Sequence, residues 1–346
     1  MAESIGIAVL GYAHGHVTAY TDRIKGFDDA RIVACWDHDA ARARSQAERF
    51  GLDWSTDMAA VLGRDDVQAV VIGAETNRHA TCAIAAAEAG KDIVIQKPLA
   101  ISLADCDAII EAVDRAGVRA MVAYQMRCDP LNIKLRELVK EGAVGRVGYI
   151  RRRHCIPVLF DPNFAGTWHV SAEANRGMYA DDACHAADFL NWILGTPVTV
   201  MAEIDNVLTN VAPDDTGVAV YRWADGCMGT LMSASVTLAG ENTTEVYGDQ
   251  GVLIQNHDDA VSTHNRLPGA IGLKLYRRST GVFEVIDVPL PASHGERISG
   301  VARPLVDWLH GRREAITPLR EARQASAMIL AAYDSAASGR RVSIEA

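Results

Sequence analysis

Three ionisable side chains lie at helical spacing near the middle of the chain. Asp181, His185 and Asp188 occupy positions i, i+4 and i+7 of a predicted helix, so all three share one helical face. An imidazole with a carboxylate one turn away suits general-base catalysis near neutral pH, because the carboxylate orients the ring and stabilises its cation. A helix-capping carboxylate and a core histidine bonded to it would give the same pattern. The spacing alone leaves both roles open.

A lysine at the end of a predicted strand is the second candidate for chemistry. Lys97 follows the buried run 92–95, and Pro98 restricts the chain directly after it. The carboxyl ends of the strands line the ligand crevice of an open α/β sheet, so the ammonium group is expected to face a cofactor and a substrate. The structural alternative is a solvated lysine at a strand end.

A glycine-containing loop follows the first apolar run and precedes a helical pattern. It consists of Gly11-Tyr12-Ala13-His14-Gly15-His16, in which alanine and histidine replace the second and third glycines of the dinucleotide fingerprint. In such loops the pyrophosphate lies against the helix N-terminus. Asp37, at the end of the second predicted strand, would accept a hydrogen bond from a ribose 2′-hydroxyl and repel a 2′-phosphate. The loop and the acid therefore favour NAD over NADP, although an acid at a strand end also occurs without a ligand.

The order of these motifs resembles that of the Gfo/Idh/MocA family of sugar and inositol dehydrogenases. The resemblance covers essentially the whole chain and extends to Ala89-Gly90-Lys91 with Lys97-Pro98, Arg127-x-x-Pro130, Glu141-Gly142-x-x-Gly145, Tyr247-Gly248-Asp249-Gln250-Gly251 and Ala332-Tyr333-x-Ser335. It implies that Asp181 and His185 join Lys97 around a reacting hydroxyl. The chain departs from the family pattern at Gln96, where the family has glutamate, and at Ala183, where it usually has glycine.

The resemblance and the spacing together give an expected set of site residues. The expected catalytic residues are Lys97, Asp181 and His185. The residues expected to bind NAD are Gly11, Tyr12, Ala13, His14, Gly15, His16, Asp37, His38, Thr76, His79, Gln96 and Lys97. The residues expected to bind substrate are Gln125, Arg127, Arg153, Trp168, His169, Asp181 and His185. Strand alternation places Arg151 and Arg153 on one face and Arg152 on the other, so the three arginines cannot all reach one site.

A metal site is the alternative use of the same region. His154, His169, Asp181, Asp182 and His185 could converge, and an aspartate and a histidine at i, i+4 are compatible with zinc. The chain has no His-Glu-x-x-His motif. The resembled family transfers hydride without a metal, so no metal is expected.

Short apolar runs alternate with helical patterns through the first 125 residues. Runs rich in Val, Ile and Ala predict buried parallel strands at residues 5–10, 31–36, 67–72, 92–95 and 118–124. Helices are predicted at residues 39–50, 79–89 and 103–116, each followed by a glycine, and Ser102 with Asp105 resembles a capping box. The alternation predicts a doubly wound parallel sheet.

The second part of the chain is rich in β-prone runs separated by turn signals. Strands are predicted at residues 147–153, 198–204, 217–223, 228–238, 244–247, 273–277 and 282–288, and helices at residues 130–142, 178–194, 297–310 and 319–337. We therefore predict an α/β chain with a Rossmann domain at residues 1–125. Residues 126–346 are predicted to form an α+β domain for substrate binding and oligomerisation, with a large, mainly antiparallel open sheet.

Composition excludes several classes of function. The 346 residues carry a net charge of −10, which disfavours a nucleic-acid partner. No run approaches the roughly 20 apolar residues of a membrane span, and no basic region precedes the first apolar run, so a cytoplasmic protein without a membrane partner is expected. The seven scattered cysteines imply neither a disulfide framework nor a zinc knuckle.

These observations predict an NAD-dependent dehydrogenase that oxidises a secondary hydroxyl of a sugar, cyclitol or related polyol. One alternative is a glycoside lyase or hydrolase of the same family, in which NAD oxidises the sugar only transiently and no NADH accumulates. Another is a non-catalytic dinucleotide-binding sensor, which has no need to retain Lys97, Asp181 and His185. The resemblance also implies a homodimer or homotetramer built through the large sheet.

Overall fold

The computed structural model describes residues 4–238, 242–255 and 271–345. It divides into two compact units, one of Met1–Gln125 with Gly295–Arg323 and one of Met126–His294 with Gln324–Ala346. Gly295–Arg323 thus belongs to the first unit although it lies in the second half of the sequence. The guanidinium groups of Arg303 and Arg312 hold this segment by binding Asp29, and they keep the pKa of that carboxyl well below its ordinary value.

The first unit contains a parallel sheet, as the alternation of strands and helices predicts. Its spatial order is β3-β2-β1-β4-β5-β6. The strands are β1 (Ile5–Leu10), β2 (Ala30–Trp36), β3 (Asp53–Ser55), β4 (Ala69–Ile72), β5 (Asp92–Ile95) and β6 (Ala120–Val122). β1, β4 and β5 are almost entirely buried, as strands covered on both faces must be.

Helices connect these strands and carry the local signals that the sequence contains. They are α1 (Gly15–Ile24), α2 (Ala40–Phe50), α3 (Met58–Leu62), α4 (His79–Glu88) and α5 (Leu103–Ala116). Ser102 caps α5 as the motif predicts: its hydroxyl accepts the Asp105 N–H at 3.1 Å and donates to the Asp105 carboxylate at 2.6 Å. Gly51 and Gly117 end α2 and α5 in the left-handed conformation.

The second unit contains a mainly antiparallel sheet in the order β14-β13-β12-β11-β7-β10-β9-β8-β15, in which β7 and β10 run parallel. The strands are β7 (Val147–Cys155), β8 (Thr199–Asp205), β9 (Thr216–Arg222), β10 (Met228–Ala234), β11 (Asn242–Gly248), β12 (Gly251–Gln255), β13 (Leu273–Arg277), β14 (Val282–Ile286) and β15 (Val342–Ser343). The helices that precede β8 are α6 (Pro130–Lys140), α7 (Ala172–Asn175) and α8 (Met178–Leu194). The predicted fold class is therefore confirmed in both halves.

The C-terminal helices are α9 (His294–Ser299), α10 (Ala302–Leu309) and α11 (Leu319–Ser338). The single helix predicted at residues 297–310 is wrong: the chain breaks it at Gly300 and starts α10 two residues later. The short strands β3, β12 and β15 have no counterpart in the prediction, since runs of two to five residues at sheet edges or beside turns carry little periodicity. Among the described helices, none combines the length and the apolar character needed to cross a membrane.

Candidate active site

The glycine loop of the first unit has room for a ligand at one glycine and none at the other. Gly11 adopts a φ of +87°, and a Cβ there would lie 2.6 Å from the Cα of Ala74. A Cβ on Gly15, the first residue of α1, would meet nothing within 4 Å. His14 caps α1 by accepting the His16 N–H at 3.4 Å. This open helix N-terminus fits the pyrophosphate of a dinucleotide.

Asp37 lies at the end of β2 and is completely buried. One of its oxygens accepts the Tyr12 N–H at 3.0 Å and the Arg42 Nε at 2.6 Å, and the other accepts the Asp39 N–H at 3.0 Å and the Arg42 Nη2 at 2.8 Å. Arg42 also donates to Glu75 at 2.9 Å. Each carboxylate oxygen thus already accepts two hydrogen bonds, so Arg42 must move aside before a ribose hydroxyl can bind there.

Three other predicted cofactor residues border this region. His38 is exposed, with its Nδ1 3.4 Å from Asp37 and 3.6 Å from Glu75. Thr76 is buried at the start of a short 3-10 helix between β4 and α4, and Ala13 is half-buried in the loop. His38 is therefore the accessible member of the group.

Tyr12 and His79 do not present their side chains to a cofactor. The Tyr12 ring stacks on Phe50, and its hydroxyl lies 3.1 Å from the Thr21 hydroxyl. Its backbone N–H is already given to Asp37. His79 is fully buried, with one ring nitrogen 3.0 Å from the Pro98 carbonyl and the other 3.2 Å from the Ala74 carbonyl. Burial lowers the pKa of the His79 imidazole, and the ring lies between a carbonyl that follows β4 and a carbonyl that follows β5.

Gln96 and Lys97 follow β5. The Gln96 amide oxygen accepts the Lys97 N–H at 3.0 Å, and its amide nitrogen donates to the Tyr20 hydroxyl at 3.2 Å. The neutral Gln96 side chain is thus hydrogen-bonded within the core and orients the Lys97 backbone. The Lys97–Pro98 peptide is cis, and Lys97 is only 3% exposed. Gln125, beyond β6 in the same unit, is also buried.

In the second unit, α8 carries Asp181 and His185 one turn apart. Both are 3% exposed. The His185 ring stacks on the ring of His154 from β7, with centroids 5.2 Å apart and an interplanar angle of 24°. The guanidinium of Arg152, also on β7, lies 4.3 Å from the centroid of Phe189 on α8. The face of α8 that carries His185 and Phe189 therefore packs against the face of the sheet that carries Arg152 and His154.

This packing shows where Arg153 lies relative to α8. The buried residues Arg152 and His154 alternate along β7 with exposed Arg151 and half-buried Arg153. Because His154 contacts His185, Arg153 lies on the opposite face of the sheet. The alternation separates Arg152 from Arg153, as the sequence predicts, but it does not show which face meets the helix.

Arg127 is bound to a carboxylate of the chain itself. Its Nε and Nη2 donate to the two oxygens of Asp188 at 2.9 and 2.7 Å, and both side chains are buried. Its guanidinium also lies 5.5 Å from the ring centroid of Trp192. This bidentate pair joins the turn before α6 to α8 and occupies the group that was predicted to hold substrate.

An aromatic cluster precedes α8. Trp168 stacks on His169 with ring centroids 3.9 Å apart, and the centroid of the Phe164 ring lies 4.8 Å from that of His169. The Thr167 hydroxyl lies 3.0 Å from His169 Nδ1. Within the described ranges 4–238, 242–255 and 271–345, no group of three or more His, Cys, Asp or Glu side chains is arranged to hold a metal ion.

The comparisons with known proteins agree with this architecture. Residues 5–124 match the model of an oxidoreductase family with an NAD-binding Rossmann fold, and residues 132–254 match the GFO/IDH/MocA C-terminal domain. The chain belongs to the GFO/IDH/MocA family. It is an oxidoreductase whose first unit is an NAD-binding domain.

Relatives within the GFO/IDH/MocA family are named as dehydrogenases of cyclitols and sugars. The chain is 28% identical to myo-inositol 2-dehydrogenase of Thermotoga maritima, over 68% of this chain and 70% of that protein. It is 26% identical to D-apiose dehydrogenase of Paraburkholderia graminis, over 96% and 87%. Levoglucosan dehydrogenase, solved in complex with NADH and levoglucosan, superposes with a TM-score of 0.84 at 21% identity over 99% of this chain and 100% of that chain. At that identity the likeness shows the shared fold.

Proposed function

We propose that this protein oxidises a secondary hydroxyl of a sugar, cyclitol or related polyol with NAD. The observation that carries the proposal is the burial of three groups with acid–base chemistry, Lys97 after β5 and Asp181 with His185 on α8, at the positions that the family motifs assign to chemistry. The names of its curated relatives support a polyhydroxylated substrate. A screen of polyols and sugars with NAD, followed by the absorbance of reduced cofactor, tests the proposal.

The mechanism we propose divides the work between these groups. The loop from Gly11 to His16 would hold the pyrophosphate, and Asp37, freed from Arg42, would hold the adenosine ribose. Bound NAD supplies the acceptor for the hydride that leaves the substrate carbon. His185 accepts the hydroxyl proton, Asp181 supports the imidazolium, and Lys97 polarises the hydroxyl and helps to relay the proton.

Asp37→Ala is expected to weaken the preference for NAD over NADP. The substitution removes the carboxylate that repels a 2′-phosphate and leaves Arg42 available to attract one. It also deprives the Tyr12 and Asp39 amides of their acceptor, so the melting temperature falls as well. The measurement is kcat/KM for NAD and for NADP in the parent and the variant.

Asp39→Ala is the matched control for this experiment. Asp39 caps α2 through the Ala41 and Arg42 amides, and it is exposed. The Asp39→Ala substitution is expected to lower the melting temperature and to leave the preference for NAD over NADP unchanged. A parent enzyme that prefers NADP, or an Asp37→Ala variant with an unchanged NAD-to-NADP ratio, contradicts this part of the proposal.

We further propose that the enzyme works as a homodimer or homotetramer in the cytoplasm. On the sheet face opposite α8, the register places Met201 beside Val220 and Val218 beside Met232, and all four side chains are exposed. An apolar patch of this kind on a broad sheet favours burial against another subunit. The seven cysteines, all within the described residues, form no disulfide, which suits a reducing compartment.

Light scattering tests the oligomer directly. The parent is expected to exceed the 37.3 kDa of one chain, and Val220→Glu is expected to shift the population towards the monomer, because it buries a charge at the proposed contact. Val282→Glu, on exposed β14 away from this patch, is the control. A parent that runs as one chain at working concentration overturns the proposal.

A further inference from the structure

The first turn of α8 is capped by side chains from elsewhere in the second unit. Gly177, the N-cap residue, has no side chain to satisfy the first N–H groups of the helix. Asp214, from the segment between β8 and β9, accepts the Tyr179 N–H at 2.6 Å. The Tyr333 hydroxyl, on α11, accepts the Ala180 N–H at 3.1 Å and donates to the other Asp214 oxygen at 2.7 Å. Asp214 and Tyr333 thus form one hydrogen-bonded unit, which we call the α8 clamp.

The clamp explains why glycine stands four residues before Asp181. A Cβ on Gly177 would overlap the Asp214 carboxylate and lie 2.8 Å from the Tyr333 hydroxyl. The φ of Gly177 is 175°, an extended conformation that any residue adopts, so space rather than backbone geometry requires the glycine. Tyr333 belongs to the Ala332-Tyr333-x-Ser335 motif, for which the proposed chemistry gives no role.

Further contacts hold the residues of the clamp. Asp215, next to Asp214, accepts the backbone N–H groups of Val207, Leu208 and Thr209 within 3.0 Å and so fixes the segment that carries the clamp carboxylate. The Arg176 guanidinium lies 5.1 Å from the centroid of the Tyr333 ring. Asp214 is buried, and this burial raises the pKa of its carboxyl. These contacts hold the Asp214 carboxylate and the Tyr333 hydroxyl in place at the N-terminus of α8.

We propose that the α8 clamp positions Asp181 and His185 for proton transfer, an inference that rests on the proposed function of those two residues. Asp181 follows the clamped Ala180 directly, and its own N–H donates to the Gly177 carbonyl at 3.1 Å. His185 lies one turn further along the same helix. Asp214 and Tyr333 are therefore positioning residues, because they set the start of α8 and, through it, the orientation of the imidazole and its carboxylate. A displacement of about 1 Å at such groups is enough to reduce turnover strongly.

Tyr333→Phe tests the clamp by removing one hydroxyl and keeping the ring. We expect kcat to fall about tenfold, with the KM for NAD unchanged and the pH–rate profile shifted, because the imidazole and Asp181 are no longer held in register. Ser335→Ala is the matched control on the same helix. The Ser335 hydroxyl accepts the Ala202 N–H at 3.0 Å and donates to the Arg340 carbonyl at 2.6 Å, so its loss costs comparable polar contacts on β8 rather than α8. Its kcat and pH profile should match those of the parent.

A histidine titration separates the clamp from the proposed reaction. The pKa of the His185 ring is followed by NMR with 13C-labelled histidine, and the His185 signal is assigned with His185→Ala. The titration is recorded for the parent, Tyr333→Phe and Asp214→Asn. Asp214→Asn keeps the shape of the clamp and serves as the test if Tyr333→Phe does not fold. A shifted His185 titration in the clamp variants but not in Ser335→Ala supports the clamp, even if no substrate is ever turned over. Clamp variants that lose only melting temperature, with the parent titration and the parent kcat, overturn it.

Discussion

Replacing Lys97 or His185 with alanine is expected to lower kcat by ~10²–10⁴-fold, the usual scale of general acid–base catalysis. In the proposed mechanism both groups act on the reacting hydroxyl, so their loss removes proton transfer rather than cofactor binding. NAD affinity should change far less, since the pyrophosphate and ribose are assigned to the loop from Gly11 to His16 and to Asp37. The kcat of Asp181→Asn should lie between those of the parent and His185→Ala, because the substitution keeps the shape of the side chain and removes the charge that supports the imidazolium.

A structural role for these residues would produce a different result. His185 stacks on His154, and Asp181 lies in the first turn of α8, so both could matter for folding alone. Melting temperature and NAD affinity are therefore measured on every variant beside the rate. Variants that stay folded, bind NAD and turn over at the parental rate refute the catalytic assignment. A collapse in melting temperature would assign the residues to the core instead.

Arg127→Met is expected to lower the free energy of unfolding by ~3–5 kcal/mol. The substitution leaves Asp188 buried without the two hydrogen bonds it accepts from Arg127. The double variant Arg127→Met/Asp188→Leu should regain much of the loss, because two apolar side chains can fill the same space without a buried charge. Urea unfolding of the parent, both single variants and the double variant completes the cycle.

The same variants decide whether Arg127 binds substrate. If the guanidinium held a substrate group, Arg127→Met would raise the KM for the polyol while leaving the unfolding midpoint near that of the parent. A coupling free energy close to zero between Arg127 and Asp188 would likewise contradict the buried pair. The geometry predicts the opposite: a large coupling, with the change in stability exceeding any change in KM.

The periodicity of apolar residues, together with helix caps and terminal glycines, was enough to predict most of the fold. β1, β5, α5, α8 and β13 begin and end at the predicted residues, because buried runs, caps and terminal glycines mark them locally. Local patterns could not show that Gly295–Arg323 packs with the first unit, since that depends on ion pairs with Asp29 more than 270 residues away. Long-range pairing of this kind leaves no periodic trace in the sequence.

Part of the candidate site could be predicted from the sequence, and part of it depends on packing that the sequence does not show. Spacing and motif order led to Lys97, Asp181 and His185, all of which the structure buries. Arg152 was not chosen as a site residue and His154 was considered only as a metal ligand, because only the packing of α8 shows which face of β7 is inward. Tyr12 lies within the cofactor loop in sequence, and its side chain nevertheless turns into the core against Phe50. Position in a motif fixes the backbone and leaves the direction of the side chain to its neighbours.

The most direct test of the proposed function is the fate of the electrons during turnover. Each sugar or polyol that the enzyme consumes is incubated with excess NAD, and NADH and oxidised product are quantified together, with the substrate protonated or deuterated at the reacting carbon. The proposal predicts one NADH for each molecule of ketone formed, and transfer of the deuterium to the cofactor. Consumption of a glycoside without net NADH would contradict the dehydrogenase and indicate a glycoside lyase or hydrolase that oxidises its substrate transiently. NAD binding without turnover of any polyol or sugar would contradict the proposal that the protein is an enzyme.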